Sequence, residues 1–302
     1  MERTIAIIGA GPAGLSASIQ LSRFGISHFI FERSLPGGLL RNGNLIGNYT
    51  GLYPPVSGLV LSEMMISHFE SYSQKIINSS VTEVHYDPEH DQFHIKAGES
   101  VYVSDYIIAA SGTKPIKPEV IKNLPEELMK NIYFEITTLA DLSGKQILIV
   151  GGGDCAFDYS LTLGQKNEVE ILNRSEKIKA LKIIREMVLT DKKISYRSKI
   201  IIGEIYKGVD KPLKVKLING ESIVCQECDI ILFAIGREPD DIYLSGFDSV
   251  ELDTLVRNGK VHLAGDIKNR EFRQAVIAAG NGIESAMKIF NKLNGVSNGS
   301  SI

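Results

Sequence analysis

The feature that most constrains this chain is a unit it contains twice. Residues 4–25, TIAIIGAGPAGLSASIQLSRFG, and residues 146–164, QILIVGGGDCAFDYSLTLG, follow one plan: a short β-branched run, a glycine turn, then apolar residues at helical spacing. In the first copy Ile5, Ile7 and Ile8 suit a buried parallel strand. Leu15, Ile19 and Leu21 then recur along a predicted helix from Pro12 to Phe24, which Gly25 can end. In the second copy Phe157, Leu161 and Leu163 take that part before Gly164. Each helix leads into a further strand, HFIFERS (28–34) ending in Glu32 and EVEILNRS (168–175). Each copy later reaches an apolar strand ending at glycine, YIIAASGTKP (106–115) and DIILFAIGREP (229–239).

The copies lie about 140 residues apart and form an internal repeat of a nucleotide-binding unit. They predict an α/β chain of two Rossmann-like, three-layer domains, and 302 residues leave room for both. The proline-bearing stretches GTKPIKP (112–118) and GREPD (236–240) read as crossings between the domains. Residues 260–293 read as a strand, a loop and a long helix, and the polar tail GVSNGSSI is expected to be mobile.

Gly9-x-Gly11-x-x-Gly14, with Pro12 and Ala13 between, sits where a strand meets a helix. There Gly9 permits the tight turn, Gly11 lets backbone approach a pyrophosphate, and Gly14 lets helix and strand pack closely. The pyrophosphate faces the N–H groups of the helix start, and Glu32, 18 residues past Gly14, stands where a carboxylate accepts from a ribose hydroxyl. Gly151-x-Gly153-x-x-Ala156, with Asp154 and Cys155 inside it, is the pyridine-nucleotide form of the same turn. Cys155 is expected to serve the phosphate cradle rather than redox chemistry. After the next strand comes Asn173-Arg174-Ser175-Glu176-Lys177-Ile178-Lys179, in which Arg174 is a candidate for the nucleotide's 2′-phosphate. NADPH and NADH both stay open.

IIGAGPAGLSAS resembles the FAD fingerprint of the low-molecular-weight thioredoxin reductase-like flavoproteins, and the likeness runs through almost the whole chain. PGGLL (36–40), with Gly37, Gly38 and Leu39, resembles their loop by the isoalloxazine, and GNYTGLYPPVSG (47–58), with Asn48, their ENYPG-type segment. AASGTKP (109–115), with Ser111 and Gly112, resembles the return strand of their FAD domain, and Gly236 ends the corresponding strand of the second unit. LAGD (263–266), with Gly265 and Asp266, and then Arg273, Gln274 and Ala275 match the late FAD motif. The resemblance implies that Asp266 faces the ribityl chain and that residues 273–275 border the flavin. It implies an FAD domain from 1–114 and 240–302 interrupted by an NAD(P)-binding domain from 115–239, domain rotation in turnover, and a homodimer.

One element of that pattern is missing. The thioredoxin reductases proper carry a CxxC upstream of the second glycine turn, where this chain has Phe134-Glu135-Ile136-Thr137. Without thiols that position cannot pass electrons by thiol–disulfide exchange. Its surroundings are similar to the thioredoxin reductase-like ferredoxin–NADP reductases, whose long aromatic C-terminal extension is absent here. Cys225-Gln-Glu-Cys228 lies far along the chain from the dithiol position, and burial as small apolar residues is the expectation for both. The resulting expectation is an FAD-dependent NAD(P)H oxidoreductase passing hydride from nicotinamide to flavin and on to a redox carrier such as ferredoxin or flavodoxin. The alternatives are a divergent disulfide reductase, an NAD(P)H oxidase and a non-catalytic flavin redox sensor. Direct hydride transfer requires no acid–base residue, so none is assigned.

Composition narrows the rest. A net charge of −3 offers no broad basic field for nucleic acid or membrane, although Arg174–Lys199 forms a local basic stretch suited to an acidic carrier. Three scattered cysteines favour a reducing, cytoplasmic setting, and the polar start Glu2-Arg3-Thr4 does not read as a signal peptide. No apolar run approaches the roughly 18 residues of a membrane span. His28 and His262 fall in predicted strands and His85, His90 and His94 in a hairpin, none with metal-ligand spacing to a partner.

Overall fold

A computed structural model describes residues 3–139 and 141–295, so the tail beyond Gly295 lies outside the described residues. In chain order the first stretch holds β1 (Ile5–Ile8), α1 (Pro12–Arg23), β2 (His28–Glu32), α2 (Gly58–Glu70), β3 (Ile76–Asn78), β4 (Val81–Asp87), β5 (Gln92–Ala97), β6 (Ser100–Ser104) and β7 (Tyr106–Ala109). The middle holds β8 (Thr113–Pro115), α3 (Glu126–Met129), β9 (Ile132–Tyr133), β10 (Gln146–Val150), α4 (Asp154–Leu163), β11 (Glu168–Asn173), α5 (Lys182–Thr190) and β12 (Ile194–Ser198). It continues through β13 (Ile201–Lys207), β14 (Leu213–Asn219), β15 (Ser222–Cys228), β16 (Ile230–Phe233) and β17 (Arg237–Pro239). Last come α6 (Ser249–Arg257), β18 (Val261–Leu263), α7 (Asp266–Asn269) and α8 (Ala275–Leu293).

The chain divides into two compact units. One holds the described residues up to Arg41, Leu45–Lys114, and those from Glu238 on; the other holds Asn42–Asn44 and Pro115–Arg237. The first unit is built on a five-stranded sheet of order β18-β7-β1-β2-β3, parallel throughout. Alternation along β1 sets its two faces. Ile5 and Ile7 pack with Leu15 and Leu21 of α1, Phe69 of α2 and Ile289 of α8. Ala6 and Ile8 join Val84 of β4 with Phe93 and Ile95 of β5 on the other face. The second unit repeats this on a parallel sheet of order β12-β11-β10-β16-β9. Ile147 and Ile149 pack with Phe157 and Leu163 of α4 and Val188 of α5, while Leu148 joins Leu213, Val215 and Leu217 of β14.

Both units therefore have three layers, and in both the third layer is an antiparallel sheet, β4-β5-β6 and β13-β14-β15. The stretch around Cys225 is accordingly a strand of that layer. The turns explain it: Gly98 and Gly220, each followed by Glu and Ser, hold φ of +61° and +58° in two-residue hairpin loops. β18 adds to the first sheet beside β7, with Val261 opposite Ile107, so residues 260–293 belong to the first unit. α8 then lies so close to α1 that a Cβ on Gly282 would stand 2.0 Å from the Ala13 carbonyl oxygen. The two proline-bearing crossings, β8 and β17, pair with each other as a two-stranded ribbon. No helix among the described residues is long and apolar enough to cross a membrane.

Candidate nucleotide sites

In each unit the strand order reverses between two central strands, β1 and β7 in the first and β10 and β16 in the second. Ligands of open parallel sheets bind in the crevice beyond the strand ends at that point. In the first unit Gly9 follows β1 with φ of +105°, and a Cβ there would lie 2.5 Å from the Ala110 oxygen on β7's continuation. A Cβ on Gly14 would lie 1.8 Å from the Gly9 oxygen, so α1 can start this close to β1 only with glycine at that place. Gly11 differs, since a Cβ there would meet nothing within 4 Å. Gly11 is also the N-cap of α1, with Pro12 and buried Ala13 behind it, no side-chain cap and no acid in the first turn. The first-turn N–H groups are thus left for a ligand.

Other candidate residues gather around that helix start. Glu32, at the end of β2, accepts from the Ala10 N–H and the Ser34 N–H at 2.9 Å each, which fixes its carboxylate beside the turn. Gly37 donates its N–H to the Ala10 oxygen at 2.8 Å, and a Cβ on Gly38 would stand 3.3 Å from the Gly11 Cα. Half-buried Leu39 follows in the same short helical turn. Gly265, with φ of +76°, fits against the Ala13 Cβ and carries Asp266, the first residue of α7. Ser111 backs Gly9, donates to the Asp240 oxygen at 2.6 Å and meets the Tyr243 hydroxyl at 3.0 Å, with Gly112 at φ of +70° behind it. Asp240, nearly buried, is paired 2.5 Å from Arg33. Asn48 Nδ2 donates to Gln274 Oε1 at 2.7 Å. That bond brings the 47–58 segment to the start of α8, where Ala275 is the first helical residue and Arg273 is half-buried.

The second unit repeats the turn. A Cβ on Gly151 would lie 2.4 Å from the Ala234 oxygen, and fully buried Ala156 holds the close-packed place. Gly153 is the N-cap of α4, has no side-chain cap, and its Cβ would meet nothing within 4 Å. The loop after β11 closes over this turn. Lys179 N–H donates to the Gly152 oxygen and Leu181 N–H to Asp154 Oδ1, both at 2.7 Å. Buried Asn173 shapes the same loop: Oδ1 accepts from Ser175 N–H at 3.2 Å, and Nδ2 donates to the Lys177 oxygen at 3.1 Å and the Tyr196 hydroxyl at 3.0 Å. Exposed Arg174 stands at the start of this loop. Gly236, with φ of +128°, is held by the Ile116 N–H at 3.1 Å beyond β16.

Asn173 and Asp154 therefore build the loop itself, and an Asn at a strand end is the signal for such a turn. Asn42 is another structural residue that the motifs do not reveal. Its Oδ1 accepts from Ile136 N–H at 3.1 Å, Thr137 N–H at 3.1 Å and Thr137 Oγ1 at 2.7 Å, while Glu135 pairs with Arg237 at 3.0 Å. Residues 134–137 thus form a firmly held loop that contains no thiol.

Cysteine burial corrects one expectation: Cys228 is buried but Cys225 is exposed. Three residues apart on β15 they point to opposite faces. Burial pushes the Cys228 thiol up to about 12. Cys155 is exposed on the first turn of α4, one turn from buried Tyr159, whose phenol burial also pushes up. His28 Nε2 shares a 2.7 Å hydrogen bond with Ser18 Oγ and its Nδ1–H donates to the Ile26 oxygen at 2.8 Å, a packing role.

The glycine cradles fit dinucleotides: where helix meets strand the space is closed to a Cβ at Gly14 and just filled by Ala156, and at the N-cap glycines Gly11 and Gly153, where a pyrophosphate approaches, it is open. Residues 3–282 match the family described as Pyridine nucleotide-disulphide oxidoreductase. A thioredoxin reductase of Rickettsia felis is 28% identical over 96% of this chain and 98% of its own length. One of Bacillus subtilis is 27% identical over 94% of this chain and 93% of its own. The crystal structure of Lactococcus lactis thioredoxin reductase (FR conformation) superposes with a TM-score of 0.84 at 24% identity, over 97% of this chain and 99% of that one, a likeness of fold.

Proposed function

Because the chain belongs to the pyridine nucleotide-disulphide oxidoreductase family, we propose that it draws electrons from NAD(P)H and delivers them to a redox carrier protein, first among them a disulfide of the thioredoxin class. It is an enzyme, an FAD-dependent NAD(P)H oxidoreductase. Bound to this chain, FAD would supply hydride acceptance from the reduced nicotinamide and onward electron transfer. The chain's own residues bind and orient. The turn Gly9–Gly14, with the uncapped start of α1, would take the FAD pyrophosphate. Glu32 would accept from a ribose hydroxyl, and Asp266 with residues 273–275 would line the remainder. In the second unit the turn Gly151–Ala156 would take the nicotinamide nucleotide, under the loop that Asn173 and Asp154 hold.

The observation that carries this reading is the matched pair of turns, each with a Cβ-forbidding glycine directly after its strand (Gly9, Gly151), a tightly packed Gly14 or Ala156 in the helix, and an N-cap glycine open to its surroundings. A second acceptor class is favoured by a separate observation. Residues 134–137 offer no thiol, so a one-electron carrier such as ferredoxin or flavodoxin, which needs none on the reductase, fits the chain as well. The test is anaerobic mixing of the purified yellow protein with NADPH or NADH, then with oxidised thioredoxin, ferredoxin or flavodoxin in separate runs. Bleaching of the flavin is expected, and the true acceptor restores its colour. A flavin that neither nucleotide bleaches would sink the reading.

A further inference from the structure

The loop after β11 carries Arg174, Glu176, Lys177 and Lys179, all exposed. Its one acid matters. A carboxylate at this strand end accepts from the ribose hydroxyls of an unphosphorylated nucleotide and repels a 2′-phosphate, whereas cations there accommodate the phosphate. In this chain the acid is taken up from outside the loop. Lys199 Nζ stands 2.5 Å from Glu176 Oε1 and holds that carboxyl below its ordinary range.

The position of Lys199 is imposed by the fold. It lies in the turn between β12 and β13 with φ of +60°, a conformation that a residue with a side chain rarely adopts. Two anchors fix the turn on either side. Ser198 is in register with Asn173, and the N–H of buried Ile200 donates to the Asn173 oxygen at 3.0 Å. The residue that shapes the nucleotide loop thus also fixes the cation that answers its acid.

We propose that Lys199 determines nucleotide specificity: by pairing with Glu176 it withdraws the loop's only acid and leaves Arg174, Lys177 and Lys179 to receive a 2′-phosphate, so the enzyme takes NADPH over NADH. Lys199 acts through Glu176 and is a positioning residue. The inference rests on the second glycine turn being the nicotinamide-nucleotide site.

The variant to make is Lys199→Asn, because asparagine tolerates the left-handed conformation while the charge is lost. Stopped-flow reduction of the anaerobic holoenzyme should show the half-saturating NADPH concentration rising about fivefold to tenfold, the size of effect one uncompensated surface charge gives. The limiting rate should stay unchanged, and NADH, whose ribose hydroxyls the freed Glu176 carboxylate can bind, should bind no more weakly. Adding Glu176→Gln to that variant should restore NADPH, since the repelling charge is gone. An NADPH-to-NADH preference that Lys199→Asn leaves unaltered, or a double variant that stays impaired, overturns the proposal. A second readout is independent of hydride transfer: calorimetric binding of adenosine 2′,5′-bisphosphate against adenosine 5′-monophosphate. Lys199→Asn should weaken only the first. If neither nucleotide bleaches the wild-type flavin, the proposed function fails, and this binding difference still decides the role of Lys199.

Discussion

At the residue scale, the two outer glycines of the first turn do different work from the middle one. Gly14 is where helix and strand meet, and a methyl there would overlap the Gly9 oxygen at 1.8 Å. Gly14→Ala must push α1 off β1 and should cost about 2–4 kcal/mol, of the order seen for severe core overpacking. Gly11→Ala adds a methyl that touches no protein atom within 4 Å and sits at the open helix start. Thermal melts of the apoprotein should show Gly11→Ala near wild type and Gly14→Ala strongly lowered. FAD titration should show Gly11→Ala weakened at least about tenfold, since on the proposed function the methyl would occupy the pyrophosphate's approach. Equal melting losses in both variants would contradict this division. The spacing of these glycines was legible in the sequence because steric exclusion acts between near neighbours. Lys199 was legible only as one charge of a basic stretch. Its pairing with Glu176 arises when β12 returns beside β11, which no local pattern announces.

At the element scale, the parallel strands and their helices read clearly because a fully apolar run must be covered on both faces. The third layers were harder to read. β4 has a register shift between Val81 and Glu83, and β13 one between Ile202 and Ile205, so their alternation is broken. The repeated Gly-Glu-Ser at 98–100 and 220–222 was the available signal, and it shows that the duplicated plan includes the hairpin layer. β18 carries a consequence for acid stability. His262 on this strand meets the Gly259 oxygen at 3.2 Å and lies near Lys288, Lys292 and Glu284 of α8, with its pKa lowered to about 4, chiefly by burial. Unfolded, the same side chain titrates near 6.5, so the unfolded chain takes up a proton that the fold refuses. Its contribution is whole above pH 6.5 and is lost as pH falls toward about 4. Half-buried His28, shifted in the same direction chiefly by desolvation, adds to this. Urea unfolding at pH 7 and pH 4.5 should show His262→Gln retaining about 1–3 kcal/mol more of its neutral-pH stability than wild type does. Parallel losses in the two proteins would assign acid sensitivity to other groups.

At the scale of the whole molecule, the decisive fact is where its three thiols lie. Residues 134–137 have none, and Cys155 stands on the first turn of α4. Cys225 and Cys228 spell a CxxC, but three residues along a strand separate their Cα atoms by roughly 10 Å and turn the side chains to opposite faces. A disulfide needs Cα atoms within about 7 Å, so this pair cannot cycle while β15 is intact. On the proposed function, electrons from NAD(P)H would therefore reach the carrier without the Cys225–Cys228 pair. Native alkylation should mark Cys155 and Cys225 and spare Cys228, whose thiol is buried and pushed up to about 12, until the protein is unfolded. A variant combining Cys155→Ser, Cys225→Ser and Cys228→Ala should keep flavin reduction by NAD(P)H and carrier turnover within about threefold of wild type, less than the ~1.4 kcal/mol that a tenfold loss represents. Persistent flavin reduction with carrier turnover lost by orders of magnitude would mean that one of these thiols does carry the electrons. Single-cysteine restorations would then identify it, with exposed Cys155 and Cys225 tried before buried Cys228.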